Sequence, residues 1–273
     1  MSELVVDAGL QRRARTTTRR AARTFSLACR LLPAEVRQDV YLLYLVFRTL
    51  DDLVDDGPPA VARERVAAVE GWCDGRPART TDETVVLDAL AARHPLPRAA
   101  LRDFCAGMRD DLDGWRPATE ADVDRYCYRV AGTVGLVMAA VLGTDDPDAA
   151  AAACSLGMAM QRTNILRDID EDEAAGRRYL SADAVARHGA PVPGRRAGLL
   201  AEQIARADTL YDEGLRGVRH LRRGRPAIRA AAGMYREILR QLEREGLGER
   251  PGRAVVSPGR KVRSALHTVA TRR

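Results

Sequence analysis

An apolar run that ends in four carboxylates is the feature that most constrains this chain. The run starts at Val40, reads VYLLYLVFRTL, and is followed by DDLVDD at 51–56. In a helix Asp51 and Asp55 lie one turn apart on the same face, with Asp52 close by. Their repulsion is costly unless a cation offsets it, and oxygen ligands alone suit Mg²⁺. The alternative is a solvated acidic helix end, stopped by Gly-Pro-Pro at 57–59.

The composition favours a helical protein and gives no nucleic-acid signal. Apolar residues make up 46% of the 273 residues and aromatic residues only 4%, and Ala, Leu, Arg and Glu dominate, which favours helix over strand. The net charge of +6 comes almost wholly from Arg, because Lys261 is the single Lys. The arginines are interleaved with acids and lack an aromatic platform, so we predict no nucleic-acid partner. A basic surface would still favour an anionic substrate or an anionic membrane surface.

Cysteine, histidine and hydropathy patterns exclude several further classes. The odd number of widely spaced cysteines, without CxxC, is typical of reduced core thiols, and the four histidines form no zinc-ligand pair. Residues 1–24 lack the apolar core of a signal peptide. The longest apolar run, Val134 to Leu142, is too short to span a bilayer. We therefore expect a cytoplasmic protein with, at most, peripheral contact with a membrane surface.

Apolar residues at helical spacing predict an all-α fold. The predicted helices cover 8–31, 34–56, 58–74, 82–93, 98–112, 120–142, 148–173, 197–222 and 226–245, with a short last helix at 261–270. We find no strand pattern and no repeat. The prediction is a single helical domain over 1–273, with 1–18 and 268–273 as flexible ends.

The segment QRTNILRDIDED at 161–172 carries the strongest signal in the chain. Gln161, Asn164, Asp168 and Asp172 recur at intervals of three and four residues, and so form one polar stripe along about three helical turns. A polar stripe on an apolar helix faces a wet cavity or a partner, because unpaired burial is expensive.

The first acidic helix repeats this layout. Tyr44 and Arg48 precede Asp51, Asp52 and Asp55 on one stripe, and each stripe thus combines a polar side chain, an arginine and carboxylates. Two independent salt-bridged surface faces are the alternative, since exposed Arg–Asp pairs are common.

Two such stripes suit the departure of a diphosphate group. Bridging Mg²⁺ ions held by carboxylates from two sides, with arginine donors alongside, would neutralise the developing charge and leave an allylic carbocation. Such a cation needs an apolar cavity that excludes water. The small residues Ala131, Gly132 and Gly135 leave room for a hydrocarbon between helices, or allow close helix packing; the two are compatible.

These motifs resemble those of the squalene/phytoene synthase family. Tyr44-x3-Arg48-x2-DDLVD looks like the first aspartate motif, YCYRVAGTVG at 126–135 like the central-cavity signature, and 161–172 followed by GRRYL at 176–180 like the second motif. Weaker similarities to the family lie in RTFSL at 23–27, YREIL at 235–239 and Arg253. The resemblance covers roughly 20–265 and implies the class I isoprenoid synthase fold, with antiparallel helices around a central cavity.

The resemblance also implies roles for individual residues. Two or three Mg²⁺ ions and the diphosphate would be held by Asp51, Asp52, Asp55, Asn164, Asp168 and Asp172. Diphosphate oxygens would be contacted by Arg48, Arg167, Tyr235 and Arg253, helped by Arg23 and Thr24. The cavity would be lined by Tyr44, Phe25, Tyr126, Val130, Ala131 and Gly135. Gln161 belongs to the second motif as a substrate-binding residue, and Cys29 stands where an aromatic side chain often lines the tail pocket.

The resemblance predicts a prenyltransferase of EC 2.5.1 type that joins two farnesyl or two geranylgeranyl diphosphates head to head through a cyclopropyl intermediate. Some members then use NADPH to make squalene, whereas others lose a proton to make phytoene or dehydrosqualene; no GxGxxG motif follows a strand here, which leaves NADPH open. The alternatives are prenyl transfer to an aromatic acceptor of indole or carbazole type and a non-catalytic helical binding module. Trp115 stands where the family often shows Arg-Tyr, so this sequence leaves the second substrate and the product length undecided.

Overall fold

The computed structural model describes residues 6–21, 23–76, 79–144 and 146–271. Within them the chain forms helices and no strand. The helices are α1 Ala8–Ala21, α2 Arg23–Cys29, α3 Ala34–Asp56, α4 Pro59–Cys73, α5 Asp82–Ala91, α6 Arg98–Leu112, α7 Glu120–Cys127, α8 Thr133–Leu142, α9 Pro147–Arg167, α10 Ile169–Ala174, α11 Ala182–His188, α12 Ala197–Gly217, α13 Arg225–Arg244 and α14 Pro258–Ala270.

The N-terminal region is helical over Ala8–Ala21 and Arg23–Cys29, in agreement with the helix predicted over 8–31, and residue 22 between them lies outside the described residues. The second of these helices, α2, ends before Leu32-Pro33, where a proline excludes helical geometry for the preceding residue. Leu10 and Ala14 of α1 are buried in the main core, although 1–18 was predicted to be flexible. Residues 1–5 lie outside the described residues, and the single-domain boundaries stay a prediction.

The long helix predicted over 120–142 is interrupted by a π-helical turn at Tyr128–Gly132. Such wide turns are rare and occur most often at functional sites. Tyr128 donates a hydrogen bond to Asp103 at 2.7 Å, and Arg129 pairs with Asp110 at 2.6 Å. Both acids lie on α6, so this helix holds the turn from one side.

The helix predicted over 148–173 bends at Asp168, where φ is −105° and ψ is 12°. The hydrogen-bond register continues through the bend: the Asp168 amide donates to the Asn164 carbonyl and the Asp172 amide to the Asp168 carbonyl, both at 2.9 Å. The polar stripe from Gln161 to Asp172 therefore stays on one face although the helix is interrupted. The short helix α11 was not predicted; Ser181 caps it by accepting a hydrogen bond from the Ala184 amide.

The central helix α9 packs against α8, α12, α13 and the π turn. Two glycines permit this approach. A Cβ on Gly135 would lie 2.1 Å from the Ala153 carbonyl oxygen, and a Cβ on Gly157 would lie 2.1 Å from the Ala131 carbonyl oxygen. Close packing is therefore one role of the small residues in this region.

A buried polar network fixes the far side of α9. The side chain of Arg162 is 3% exposed; its Nη2 lies 2.6 Å from Asp124 and 3.2 Å from Glu120, and its Nη1 donates to Gln203 at 2.7 Å. A buried guanidinium is stable only when it is paired in this way. The network ties α9 to α7 and α12, and so turns Gln161 and Asn164 of α9 toward the opposite side.

Within the described ranges, no helix is both long and apolar enough to cross a membrane.

Candidate active site

The first acidic wall is the C-terminal end of α3, with Asp51, Asp52 and Asp55; we call it the α3 wall. Arg48 lies one turn before these acids, and its Nη1 is 2.9 Å from Asp51 Oδ2 while its Nη2 pairs with Asp52. The helical spacing predicted from the sequence thus places the guanidinium directly against two of the three carboxylates.

The second wall spans the bend between α9 and α10, with Asn164, Asp168 and Asp172; we call it the α9–α10 wall. Arg167 forms a two-pronged pair with Asp168, at 2.7 Å from Nε and 2.5 Å from Nη2. Arg253, from the segment between α13 and α14, reaches the same carboxylate at 3.0 Å. Two arginines therefore concentrate positive charge on Asp168.

Arg177 joins the two walls. Its Nη1 lies 3.7 Å from Asp55 Oδ1 on the α3 wall, and its Nε donates to Asp172 on the α9–α10 wall at 3.3 Å. The backbone amide of Arg177 also donates to the Asp172 carbonyl at 2.8 Å. Sequence reasoning placed Arg177 in the second motif without a role, because a contact between a loop and α3 has no periodic signature.

Replacing Arg177 with Gln should make the metal-free protein less stable and more responsive to Mg²⁺. The variant loses the cation that offsets repulsion between Asp55 and Asp172, so we expect the melting temperature in EDTA to fall by about 2 °C. The rise on adding Mg²⁺ should exceed that of the wild type. Thermal unfolding with Arg178→Gln as the control tests this, since Arg178 pairs only with the exposed Glu173 among the described residues; equal responses of the two variants would contradict the bridging role.

Burial, together with the crowding of carboxyl groups, raises the pKa values of several wall residues. Desolvation and the neighbouring Asp55 raise the pKa of Asp51 to about 6. Desolvation, with Asp168 and Asp55 nearby, raises the pKa of Asp172 to about 6 despite the opposing effect of Arg177. Desolvation likewise raises the pKa of Asp55. Ionisation of these wall carboxyl groups is therefore unfavourable in the metal-free site, and a bound divalent cation would favour their ionised form.

The stabilising effect of Mg²⁺ should grow as the pH rises from about 5 to 7.5. A carboxyl group with a raised folded-state pKa favours the native state below its unfolded pKa of about 4 and loses that contribution as the pH rises through its folded pKa. A bound cation reverses this by favouring the ionised form. The melting-temperature difference between Mg²⁺ and EDTA, measured against pH, should flatten in Asp51→Asn. A pH-independent difference in the wild type would contradict the assignment.

A half-buried carboxyl that the sequence did not single out lies next to the α3 wall. Asp111 accepts hydrogen bonds from Tyr126 at 3.0 Å and from Tyr179 at 3.1 Å. Desolvation, opposed by these two bonds and assisted by Asp55 and Asp51, raises its pKa to about 7. Tyr126 stacks between Trp115 and Tyr179, with ring centroids 5.3 and 5.0 Å away. The only sequence signal was the unusual Trp115 in the segment that follows α6.

A cavity of about 610 Å³ opens between the walls and the helix core. Its polar end is formed by charged and polar side chains from both walls, and its other end by apolar ones. A second cavity, of about 250 Å³, adjoins it and is apolar. The two share the lining residues Phe25, Val130, Val134, Met138, Met160 and Tyr235. The connected cavities can therefore hold a ligand with a polar head group at the acidic walls and a long apolar tail in the interior.

The structure brings most of the predicted substrate-binding residues to these cavities. The larger is lined by Thr24, Phe25, Tyr44, Arg48, Val130, Gln161, Arg167, Tyr235 and Arg253, and the smaller by Ala131 and Gly135. Cavity lining and close packing are therefore both roles of the small residues.

Two predicted lining residues lie elsewhere, and a third is not described. Cys29 is 1% exposed, belongs to the main core and lines neither cavity. The cavity side of α2 is occupied by the side chain of Phe25 instead. Tyr126 is likewise buried, in the aromatic stack around Asp111. The predicted contact of Arg23 falls on a side chain outside the described residues.

The donor set fits divalent cations that are shared with a substrate. Among the described residues, no three His, Cys, Asp or Glu side chains converge on one point, but Mg²⁺ takes one or two carboxylates and fills its shell with water and phosphate oxygens. The buried Oδ1 of Asn164 and the Nε of Arg48 have no hydrogen-bond partner. A cation at Asn164 and an anion at Arg48 would satisfy both atoms.

Comparison with known proteins places the chain in a family. A model described as squalene/phytoene synthase matches residues 18–260. A phytoene synthase of Thermus thermophilus is 40% identical over 233 residues, covering 82% of this chain and 80% of that protein. A 15-cis-phytoene synthase of Synechococcus elongatus is 35% identical over 276 residues, covering 91% and 88%.

Solved structures agree with this placement. The crystal structure of a dehydrosqualene synthase in complex with ligand superposes with a TM-score of 0.86 at 29% identity, covering 95% of each chain. Squalene synthase HpnC from Alicyclobacillus acidocaldarius has a TM-score of 0.75 at 24% identity, covers 89% of this chain and 96% of that one, and shares the fold. The predicted all-α isoprenoid synthase fold is confirmed.

The chain therefore belongs to the squalene/phytoene synthase family. It is a divalent-metal-dependent prenyltransferase of the kind that joins two prenyl diphosphates head to head. Prenyl transfer to an aromatic acceptor finds no support among these relatives, and the phytoene synthases among them do not indicate NADPH.

Proposed function

We propose that this protein condenses two molecules of geranylgeranyl diphosphate into phytoene, with Mg²⁺ as the metal. The observation that carries the proposal is the connected pair of cavities that begins at two facing acidic walls and continues into an apolar interior. The named relatives above 30% identity are phytoene synthases, which supports the twenty-carbon substrate.

In this proposal the walls hold the diphosphate between them. Asp51, Asp52 and Asp55 would hold metal from one side, and Asn164, Asp168 and Asp172 from the other. Mg²⁺, when bound, neutralises charge on the leaving diphosphate. Arg48, Arg167 and Arg253 already lie against wall carboxylates, and each would turn its free N–H groups to phosphate oxygens.

The apolar side of the larger cavity would protect the allylic cation. Phe25 and Tyr44 stack with their ring centroids 5.3 Å apart, and both line this cavity. Aromatic faces attract a cation, and their apolar bodies exclude water. Desolvation raises the pKa of Tyr44 to about 12, so its hydroxyl stays protonated and is no competing anionic nucleophile at neutral pH.

The chain-length assignment can be tested by direct competition. Purified protein and Mg²⁺ are given equal amounts of farnesyl and geranylgeranyl diphosphate, with and without NADPH, and the extracted hydrocarbons are identified by mass spectrometry. We expect phytoene as the main product in both conditions. Dehydrosqualene as the main product would overturn the twenty-carbon substrate, and squalene formed only with NADPH would overturn the proton-loss outcome.

A further inference from the structure

Large exposed apolar side chains are concentrated in one part of the molecule. Seven are exposed among the described residues, and Val61 and Val192 lie apart from the others. The remaining five belong to α2, the residues just after it, α14 and the segment before α14: Leu27 (39% exposed), Leu31 (50%), Val255 (72%), Val262 (44%) and Leu266 (66%). We call these five side chains the mouth face.

The elements of the mouth face are neighbours, and they contribute lining residues to the larger cavity. Ala28 of α2 and Ala265 of α14 pack into the same small cluster on α13, and Lys261 donates to Thr24 at 3.0 Å. Thr24, Val255 and Lys261 line the larger cavity. Val255, which is also exposed, therefore connects the mouth face with the larger cavity, and the other four side chains lie on or next to elements that contribute lining residues.

The exposed stripe of α14 has no partner within the described chain. Val262 and Leu266 are one turn apart and so lie on the same side of the helix. The other side packs on α13, where Ser264 donates to the Gly233 carbonyl at 2.7 Å and Thr268 contacts Gly233. Packing therefore explains the inner side of α14 and leaves the outer side without a structural role.

The two stretches of sequence that contain this face carry charge of one sign. Residues 8–34 and 250–273 together contain 14 Arg or Lys and no Asp or Glu, whereas the rest of the chain contains 30 Arg or Lys and 38 Asp or Glu. Arg30 and Arg263 are exposed on the elements that carry the apolar side chains, and the exposed Arg20 of α1 lines the larger cavity. Some of these arginines pair with acids from other elements, as Arg13 does with Asp82, but the segments themselves supply none.

We propose that the mouth face docks on the surface of an anionic phospholipid bilayer. Exposed Val and Leu side chains would enter the boundary of the acyl chains while the surrounding arginines contact lipid phosphates, the usual arrangement of a helix that lies on a membrane. A second copy of the chain fits less well, because a two-fold contact through this face would bring two basic surfaces together. Under the proposed function, docking would open the cavity toward the bilayer that holds the prenyl tails.

Vesicle flotation tests the proposal on the full-length protein. The wild type is mixed with neutral phosphatidylcholine vesicles, or with vesicles that contain about 30 mol% phosphatidylglycerol, at low and high salt. We expect binding to the anionic vesicles to exceed binding to the neutral ones by at least about tenfold and to fall at high salt. Equal binding to both, or none to either, would overturn the proposal.

A matched pair of double variants distinguishes an effect of the mouth face on vesicle binding from an effect of net charge. Val262→Glu/Leu266→Glu should reduce binding to anionic vesicles by about tenfold or more, while Val61→Glu/Val192→Glu, with the same charge change elsewhere, should change it by less than about twofold. Both should keep the wild-type circular dichroism and turnover in detergent. Equal losses in the two variants would overturn the assignment of the face. A different outcome is that the wild type forms a concentration-dependent dimer and does not bind vesicles, and that only Val262→Glu/Leu266→Glu abolishes the dimer. That result would overturn the bilayer as the partner and assign the face to a second copy of the chain.

Discussion

Asp168→Asn is expected to lower kcat/KM by about 10³-fold, because it removes charge from the centre of the α9–α10 wall. Asp168 is the carboxylate that meets both Arg167 and Arg253. An amide keeps the shape but weakens both the metal and the arginine contacts. Turnover, measured as diphosphate release, should collapse while the helical circular dichroism persists.

The control for this variant lies on the adjacent helix. Glu173→Gln removes one carboxylate from α10, where the exposed Glu173 pairs with Arg178. It should keep activity within about twofold of the wild type, as surface changes usually do. A similar collapse in both variants, or full activity in Asp168→Asn, would contradict the metal assignment. Asp52→Asn should behave like Asp168→Asn if both walls are needed.

Val134→Trp should reduce turnover of geranylgeranyl diphosphate by about 100-fold, since a small displacement of a bound chain can have that effect. Val134 lines both cavities and so lies where they adjoin. An indole at this position would block the path from the acidic walls into the apolar cavity. The ionising machinery itself would be untouched.

Diphosphate release from geranyl diphosphate provides the internal control, because a ten-carbon tail does not need the deeper cavity. Val134→Trp should retain most of that activity. Leu136→Trp, on the same helix but outside both cavities, controls for added bulk; it should leave the ratio of the two substrates unchanged. An unchanged ratio in Val134→Trp would contradict a continuous tail path.

The acidic walls were predictable because their residues are close in sequence and their spacing follows helical geometry. The predicted stripe from Tyr44 to Asp55 lies on one uninterrupted helix, as expected. The stripe from Gln161 to Asp172 crosses a bend at Asp168 and keeps its register, so the prediction succeeds although the helix is broken.

The missed residues depend on contacts that have no local signature. Arg177 and Asp111 reach the walls from a loop and from α6, and only the tertiary fold brings them there. Cys29 was misplaced because the choice between neighbouring faces of α2 is made by packing: its side chain turns to the core and that of Phe25 to the cavity. The π turn was missed for a related reason, since contacts with α6 and α9 stabilise it rather than its own sequence.

The most direct test of the central claim is product stoichiometry from a single substrate. The protein is incubated with Mg²⁺ and radiolabelled geranylgeranyl diphosphate alone, and both diphosphate and extracted hydrocarbon are quantified. If the two walls ionise a prenyl diphosphate for head-to-head condensation, phytoene should form with about two diphosphates released for each hydrocarbon, and EDTA should abolish both. Release of diphosphate without any dimeric hydrocarbon, or turnover only after an aromatic acceptor is added, would contradict the account.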